Sequence, residues 1–118
     1  MDVQKLMSVS LDDFDEITSK EDFSRKVGVS RQHTFTFARL AFCNLEDFAQ
    51  HYPVLDEKVI TNRGMDRYQC WVLIQLILAG IKTSRAHVES SLKYDAAFRE
   101  KFSYKRFIET TQNMRVSA

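Results

Sequence analysis

The chain has 118 residues, which fits one folded domain and leaves little for a second. Hydrophobic residues make up 44% of it, which excludes disorder over most of its length, and three glycines with one proline are too few for the turns of an all-β sandwich or barrel. The net charge is only +1, but residues 25–45 carry four bases and no acid, a distribution that suits contact with a polyanion through one face.

The start of the chain is predicted to be weakly ordered and then helical. We expect residues 1–9 to be frayed or weakly helical. A helix is predicted after Ser10, because Leu11, Phe14 and Ile17 follow at helical spacing with acids in the first turn. This segment would be an acidic helix near the N-terminus.

Two helices are predicted between Ser19 and Pro53. Ser19 begins a pattern that resembles a capping box and opens a short helix ending at Gly28. Ser30 then caps a longer helix that runs toward Leu45. Another turn starts at Leu45 and stops before Pro53, since the residue before a proline is pushed away from helical geometry.

The second half of the chain is also mainly helical. Residues 54–61 have the only β character, as either a short strand or an extended connection. The strongest helix is Arg67–Ala79, apolar on most sides and therefore central, with Gly80 as its C-cap. Further helices are predicted from Ser84, with Phe98 or Phe102 on its inner face, and over Tyr104–Met114. The sequence therefore predicts an all-α fold, a compact bundle of five to six helices in a single domain over residues 1–118.

Cysteine usage and hydropathy indicate a cytoplasmic protein without a membrane span. The longest apolar run, residues 70–81, is too short to cross a bilayer, and no secretory or transit pattern stands at the N-terminus. Cys43 and Cys70 lie in apolar helical sequence without CxxC or Cys/His spacing, which predicts buried free thiols.

The residues that usually carry catalysis are scattered. His33, His51 and His87 have no Cys, Asp or Glu at metal-ligand spacing, and no glycine loop could hold a phosphate. The paired acids of residues 12–16 are explained by a solvated helix start. We therefore expect no enzyme, no catalytic residues, no cofactor and no metal site.

The segment Lys20–Leu40 reads KEDFSRKVGVSRQHTFTFARL and combines a short helix, a glycine turn and a serine-capped helix. It resembles the helix-turn-helix motif of bacterial and phage DNA-binding regulators, within residues 19–41. Phe23 and Val27 would be the inner residues of the first helix, and Gly28 would be the turn glycine. Val29 would be the apolar residue after the turn, and Ser30 would cap the recognition helix.

The resemblance implies a surface that contacts DNA. Arg31, Gln32 and His33 would lie on the first exposed turn of the recognition helix, where Arg can pair with guanine and Gln with adenine. The capped helix start at Ser30 can approach a phosphate. The remaining bases of the segment would contact phosphates: Arg25, Lys26 and Arg39.

Two positions depart from the family pattern. Ser24 stands where the family favours Ala, and Thr34 stands where it favours Val or Ile. Either the packing between the two helices differs from the family pattern, or the match is a coincidence. The neighbouring aromatic residues Phe35, Phe37 and Phe42 are predicted to be core residues rather than to stack on bases.

Two functions from different classes follow. The first is a small DNA-binding protein in transcription regulation, whose size and motif favour a phage, plasmid or other mobile element as its source. The second is a helical adaptor or inhibitor that docks on another protein through its acidic N-terminal helix. Regulators with this motif commonly bind paired half-sites as homodimers, so the helix near residues 71–81 is either a dimer seam or the core of one subunit.

Overall fold

The computed structural model describes residues 3–116 and confirms the predicted all-α architecture. Within this range the chain forms eight α-helices and one two-stranded hairpin: α1 (Val3–Ser8), α2 (Lys20–Val27), α3 (Arg31–Asn44), α4 (Glu46–Gln50), β1 (Val54–Leu55), β2 (Lys58–Val59), α5 (Arg67–Lys82), α6 (Arg85–Tyr94), α7 (Ala96–Glu100) and α8 (Tyr104–Val116). None of these helices is long and apolar enough to span a membrane.

The helices outnumber the five to six predicted because two long segments are interrupted. Leu45 has extended backbone angles, so that α3 and α4 are separate helices. Asp95 also has extended backbone angles and separates α6 from α7. Its carboxylate accepts a hydrogen bond from the backbone N–H of Phe98. A side chain that caps the following helix competes with continuation of the preceding one.

The core is built around α5. Its side chains Val72, Leu73, Leu76 and Ile77 are buried within a single chain, so this helix forms the core of one subunit. Helices α3, α4, α6 and α8 pack against it.

Gly80 lies inside α5 and is not the C-cap predicted from the sequence, because the helix continues to Lys82. A Cβ atom on Gly80 would lie 3.0 Å from the ring of Phe37 in α3. The glycine therefore lets α3 and α5 approach each other closely, a role that is set by packing rather than by the helix end.

The acidic N-terminal helix predicted after Ser10 is absent. Only a 3₁₀ turn, Leu11–Asp13, forms there, with Ser10 and Asp13 in a capping box. Phe14 then turns into the core in an extended conformation, and its ring stacks on Phe23 at 5.7 Å. The acids of residues 12–16 consequently do not form one helical docking face.

The structure also decides two further predictions, one for the start of the chain and one for residues 54–61. Residues 3–8 form the short helix α1, which is the helical alternative of the predicted frayed or weakly helical start, and its Leu6 is buried. Residues 54–59 form a hairpin in which Val54 pairs with Val59, and the turn residues Asp56 and Glu57 have positive φ. The extended segment is thus a short antiparallel ribbon.

The two thiols occupy opposite environments. Cys70 is buried in α5, and burial raises the pKa of its thiol to about 12, which makes it a packing residue. Cys43 is exposed on α3 rather than buried as predicted.

Candidate nucleic-acid interface

The segment from α2 to α3 has the geometry of two helices joined by a tight turn. α2 ends at Gly28, whose φ of 76° and ψ of 31° lie in the left-handed region that favours glycine. Val29 is buried after the turn. The hydroxyl of Ser30 accepts a hydrogen bond from the backbone N–H of His33 at 3.0 Å and so caps α3. The predicted helix ends and turn residues are therefore confirmed as local geometry.

The two departures from the motif lie against each other. The hydroxyl oxygens of Ser24 in α2 and Thr34 in α3 are 2.7 Å apart in the buried interface between the helices. Ser24 also contacts the carbonyl of Lys20 at 2.8 Å, and Thr34 that of Ser30 at 3.2 Å. The two hydroxyl groups have only two protons to donate, but they make three contacts. The longest contact, between Thr34 and the Ser30 carbonyl, is therefore the one without a hydrogen bond. One polar pair thus replaces the apolar contact that the family pattern places there.

This pairing predicts a coupled effect on stability. Ser24→Ala and Thr34→Val alone should each lower the free energy of unfolding by about 1 kcal/mol, because each removes one buried hydrogen bond while the remaining hydroxyl keeps a carbonyl acceptor. The double variant, with the residues that the motif favours, should lose less than the sum of the two, because two apolar side chains then pack together and no hydroxyl is left beside an apolar one. Urea unfolding followed by the fluorescence of Trp71 measures all three. Strictly additive losses would show that the two positions contribute independently and would contradict the coupling.

One face of α3 is open to solvent. Residues on the opposite face, among them Thr34 and Ala41, are buried against α2 and α5. Phe35 is 44% exposed, so its prediction as a core residue was wrong, whereas Phe37 is buried and Phe42 half-buried. The exposed side chains of α3 are Arg31, Gln32, Phe35, Arg39 and Cys43.

The structure brings together three of the predicted DNA-contacting residues. Arg31 and Gln32 are both exposed on the first turn of α3, and Arg39 lies about two turns further along the same side. His33 is directed elsewhere: its ring is half-buried, 4.9 Å from the ring of Phe37. Burial and the nearby charge of Arg85 lower the pKa of His33, so a neutral packing residue stands where a base contact was predicted.

The two basic residues of α2, Arg25 and Lys26, lie in different surroundings. Arg25 is exposed and forms an ion pair with Asp22 one turn earlier. The ammonium of Lys26 lies 5.7 Å from the centre of the Phe14 ring, on the side of α2 that faces the N-terminal segment. Arg25 therefore lies on the solvent-exposed side of α2, whereas Lys26 is directed toward Phe14.

Arg85 at the start of α6 was missed from the sequence. It lies close enough to His33 to lower the pKa of that imidazole, so it adds a positive charge beside the start of α3. A signal was present: residues 30–33 and 84–87 share the pattern Ser-Arg-X-His. In both, the serine hydroxyl accepts a hydrogen bond from the histidine N–H at 3.0 Å, which places Arg31 and Arg85 at the same position of their helices.

A cavity of about 550 Å³ adjoins the exposed face of α3, between the start of α2 and the loop of residues 61–64. Lys20 crosses it: its ammonium donates to the carbonyl of Thr61 at 2.7 Å and lies 5.5 Å from the ring centres of both Phe35 and Tyr52. Burial lowers the pKa of Lys20. The cation–π contacts and the carbonyl hold this charge in place.

The two arginines of α3 also line the cavity. Arg31 lies 3.4 Å from the carboxylate of Glu21 and 5.3 Å from the centre of the Phe35 ring. Arg39 forms no ion pair within the part of the chain that the structure describes. The cavity therefore has three cations and one carboxylate beside three aromatic rings, Phe35, Phe42 and Tyr52.

A second polar cluster has a structural role. The Nδ1 atom of His51 lies 2.5 Å from the carboxylate of Asp66, which also caps α5, and the imidazole packs against Tyr68 and Tyr104. These contacts join the end of α4 to the start of α5. Over residues 3–111, no group of three His, Cys, Asp or Glu side chains is arranged to hold a metal ion.

No protein-family model, no curated protein and no solved structure matches this chain. The indications of function therefore come from the chemistry of α3 and of the surfaces beside it.

Proposed function

We propose that this protein binds duplex DNA and regulates transcription, with α3 as the helix that enters the major groove. The observation that carries the proposal is the joint exposure of Arg31 and Gln32 on the first turn of a helix that follows a left-handed glycine turn. An isolated α-helix face fits the major groove, and residues of its first turns reach the base edges.

The exposed face of α3 suits base recognition. Arg31 can donate two hydrogen bonds to guanine, and Gln32 can both donate to and accept from adenine. Arg39 continues this face toward the middle of the helix, with the half-buried Thr36 beside it. Such contacts would give specificity, whereas the surrounding bases would supply most of the affinity.

The phosphate contacts differ from those predicted from the sequence. Arg25 is exposed on α2 and keeps its predicted role, whereas Arg85, which lies near His33 at the start of α3, takes the place of Lys26. Arg25 would exchange its exposed ion pair with Asp22 for a phosphate, which costs little because surface ion pairs contribute only about 0–1 kcal/mol. A cytoplasmic location, binding as a homodimer to paired half-sites and origin in a mobile element belong to the same proposal, supported by size and motif.

Fluorescence anisotropy with mixed-sequence duplex DNA at two salt concentrations tests the proposal. With about three phosphate contacts, the affinity should fall roughly fortyfold between 50 and 200 mM salt. Arg85→Gln should weaken binding to all duplexes and lower the salt dependence by about one contact. Absence of binding at low salt would overturn the DNA proposal.

A further inference from the structure

We propose that the cavity beside α3 binds a small planar anion, an aromatic ring carrying a carboxylate or a phosphate. Resting on the DNA-binding proposal, we add that this ligand and DNA exclude each other. The cavity's volume of about 550 Å³ lies in the range of pockets that hold small organic molecules.

The charge of the cavity selects an anion. Lys20, Arg31 and Arg39 line it together with one acid, Glu21. Glu21 is engaged by Arg31 at 3.4 Å, whereas Arg39 has no acidic partner among the described residues. A carboxylate or phosphate entering the cavity would meet an arginine whose five donors are free for bidentate contact.

The aromatic lining selects a planar ring. Phe35, Phe42 and Tyr52 contribute flat apolar surfaces, and Phe35 is exposed although it is a large hydrophobic residue. The guanidinium of Arg31 lies over Phe35 and offers a second flat cation for stacking. Aromatic surface and positive charge within one cavity match a ligand that has both a ring and an anionic group.

The cavity is held in shape before any ligand arrives. Lys20 is bound to the Thr61 carbonyl and lies against two rings, so its ammonium joins α2, α3 and the loop of residues 61–64. Tyr52 is itself buried and packs edge-on against Phe48 of α4. Because these groups are already ordered, a ligand loses less free energy in fixing them.

Competition with DNA follows from shared residues. Arg31 and Arg39 line the cavity and also lie on the exposed face of α3. An anion bound to them would neutralise two of the charges that DNA requires. Gln32 does not line the cavity, so the two binding events can be separated by substitution.

The test is a titration of the full chain with benzoate and with adenosine 5′-monophosphate, followed by calorimetry and by shifts of the backbone amides of residues 61–64. Their neutral counterparts, benzyl alcohol and adenosine, serve as ligand controls. We expect at least one anion to bind with a Kd below about 1 mM and at least about tenfold more tightly than its counterpart. Binding of benzoate would indicate a carboxylate ligand, and binding of adenosine 5′-monophosphate would indicate a nucleotide.

Two matched variants locate the site. Arg39→Gln should weaken binding of the anion about tenfold, and Arg106→Gln, which removes a cation of α8 outside the cavity, should leave it unchanged. The proposal is overturned if neither anion binds, if the neutral compounds bind equally well, or if Arg39→Gln has no effect.

Gln32→Ala separates the ligand site from the DNA surface. It should weaken DNA binding and spare the anion, and the bound anion should lower the affinity for DNA. An anion that binds without displacing DNA overturns the competition. A protein that binds the anion but never DNA overturns the proposed function and not the ligand site.

Discussion

Replacing Arg31 and Gln32 together by alanine should lower the affinity for a selected duplex about a hundredfold and the affinity for mixed-sequence DNA only several-fold. Each bidentate contact to a base contributes about 1–3 kcal/mol of discrimination, whereas non-specific binding depends mainly on phosphates. Both side chains are exposed, and the contacts of Arg31 are with the surface residues Glu21 and Phe35, so the fold should be retained. Anisotropy titrations at one fixed salt concentration measure both affinities.

A control with the same loss of charge tests whether α3 is responsible. Arg106→Ala removes a cation of α8, where Arg106 pairs with Glu100 at 3.0 Å. This variant should bind both duplexes nearly as well as the natural protein does. If it loses as much affinity as the double variant, general charge attraction and not α3 is responsible. Unchanged discrimination in the double variant would remove Arg31 and Gln32 from the site.

Gly64→Ala is expected to destabilise the protein by about 3 kcal/mol. Gly64 has a φ of +107°, which side-chain-bearing residues rarely adopt, and its added Cβ would lie 2.9 Å from the carbonyl oxygen of Thr18. That carbonyl accepts a hydrogen bond from Met65, and the N–H of Thr18 donates to Met65 in return, both at 2.7 Å. The backbone of Thr18 cannot move away without loss of this bridge. The midpoint and slope of urea unfolding give the change in free energy.

Gly28→Ala provides the comparison. Gly28 is also left-handed, with a φ of 76°, but in the αL region where an L-residue costs about 1–2 kcal/mol. Gly64→Ala should therefore be the more damaging of the two. Equal losses would indicate that backbone conformation alone, and not the contact with Thr18, accounts for the effect.

The features of the candidate interface that depend on neighbouring residues in the chain were predictable. The caps at Ser19 and Ser30 and the turn at Gly28 depend on residues within a few positions, and the structure has them where the sequence placed them. The orientation of His33 was not predictable. His33 contacts Phe37 one turn further along α3, but the burial of this side of α3 depends on where α6 packs.

The cavity could not have been predicted. Its cations come from α2 and α3, and Lys20 meets the carbonyl of Thr61 across 41 positions of the chain. Nothing in the sequence near Lys20 signals this partner. The same holds for Phe35, whose exposure is explained by the open cavity beside it.

By itself, the sequence determined the helical class, the central place of α5 and the caps and turn around α3, because apolar periodicity and capping act over one or two helical turns. The tertiary structure decided at which positions packing outweighs the local preference for helix or helix end. Phe14 leaves its predicted helix to stack on Phe23, and Gly80 stays inside α5 because Phe37 needs its space. Burial of a large ring contributes more free energy than one turn of helix propensity, and it depends on partners far away in the chain.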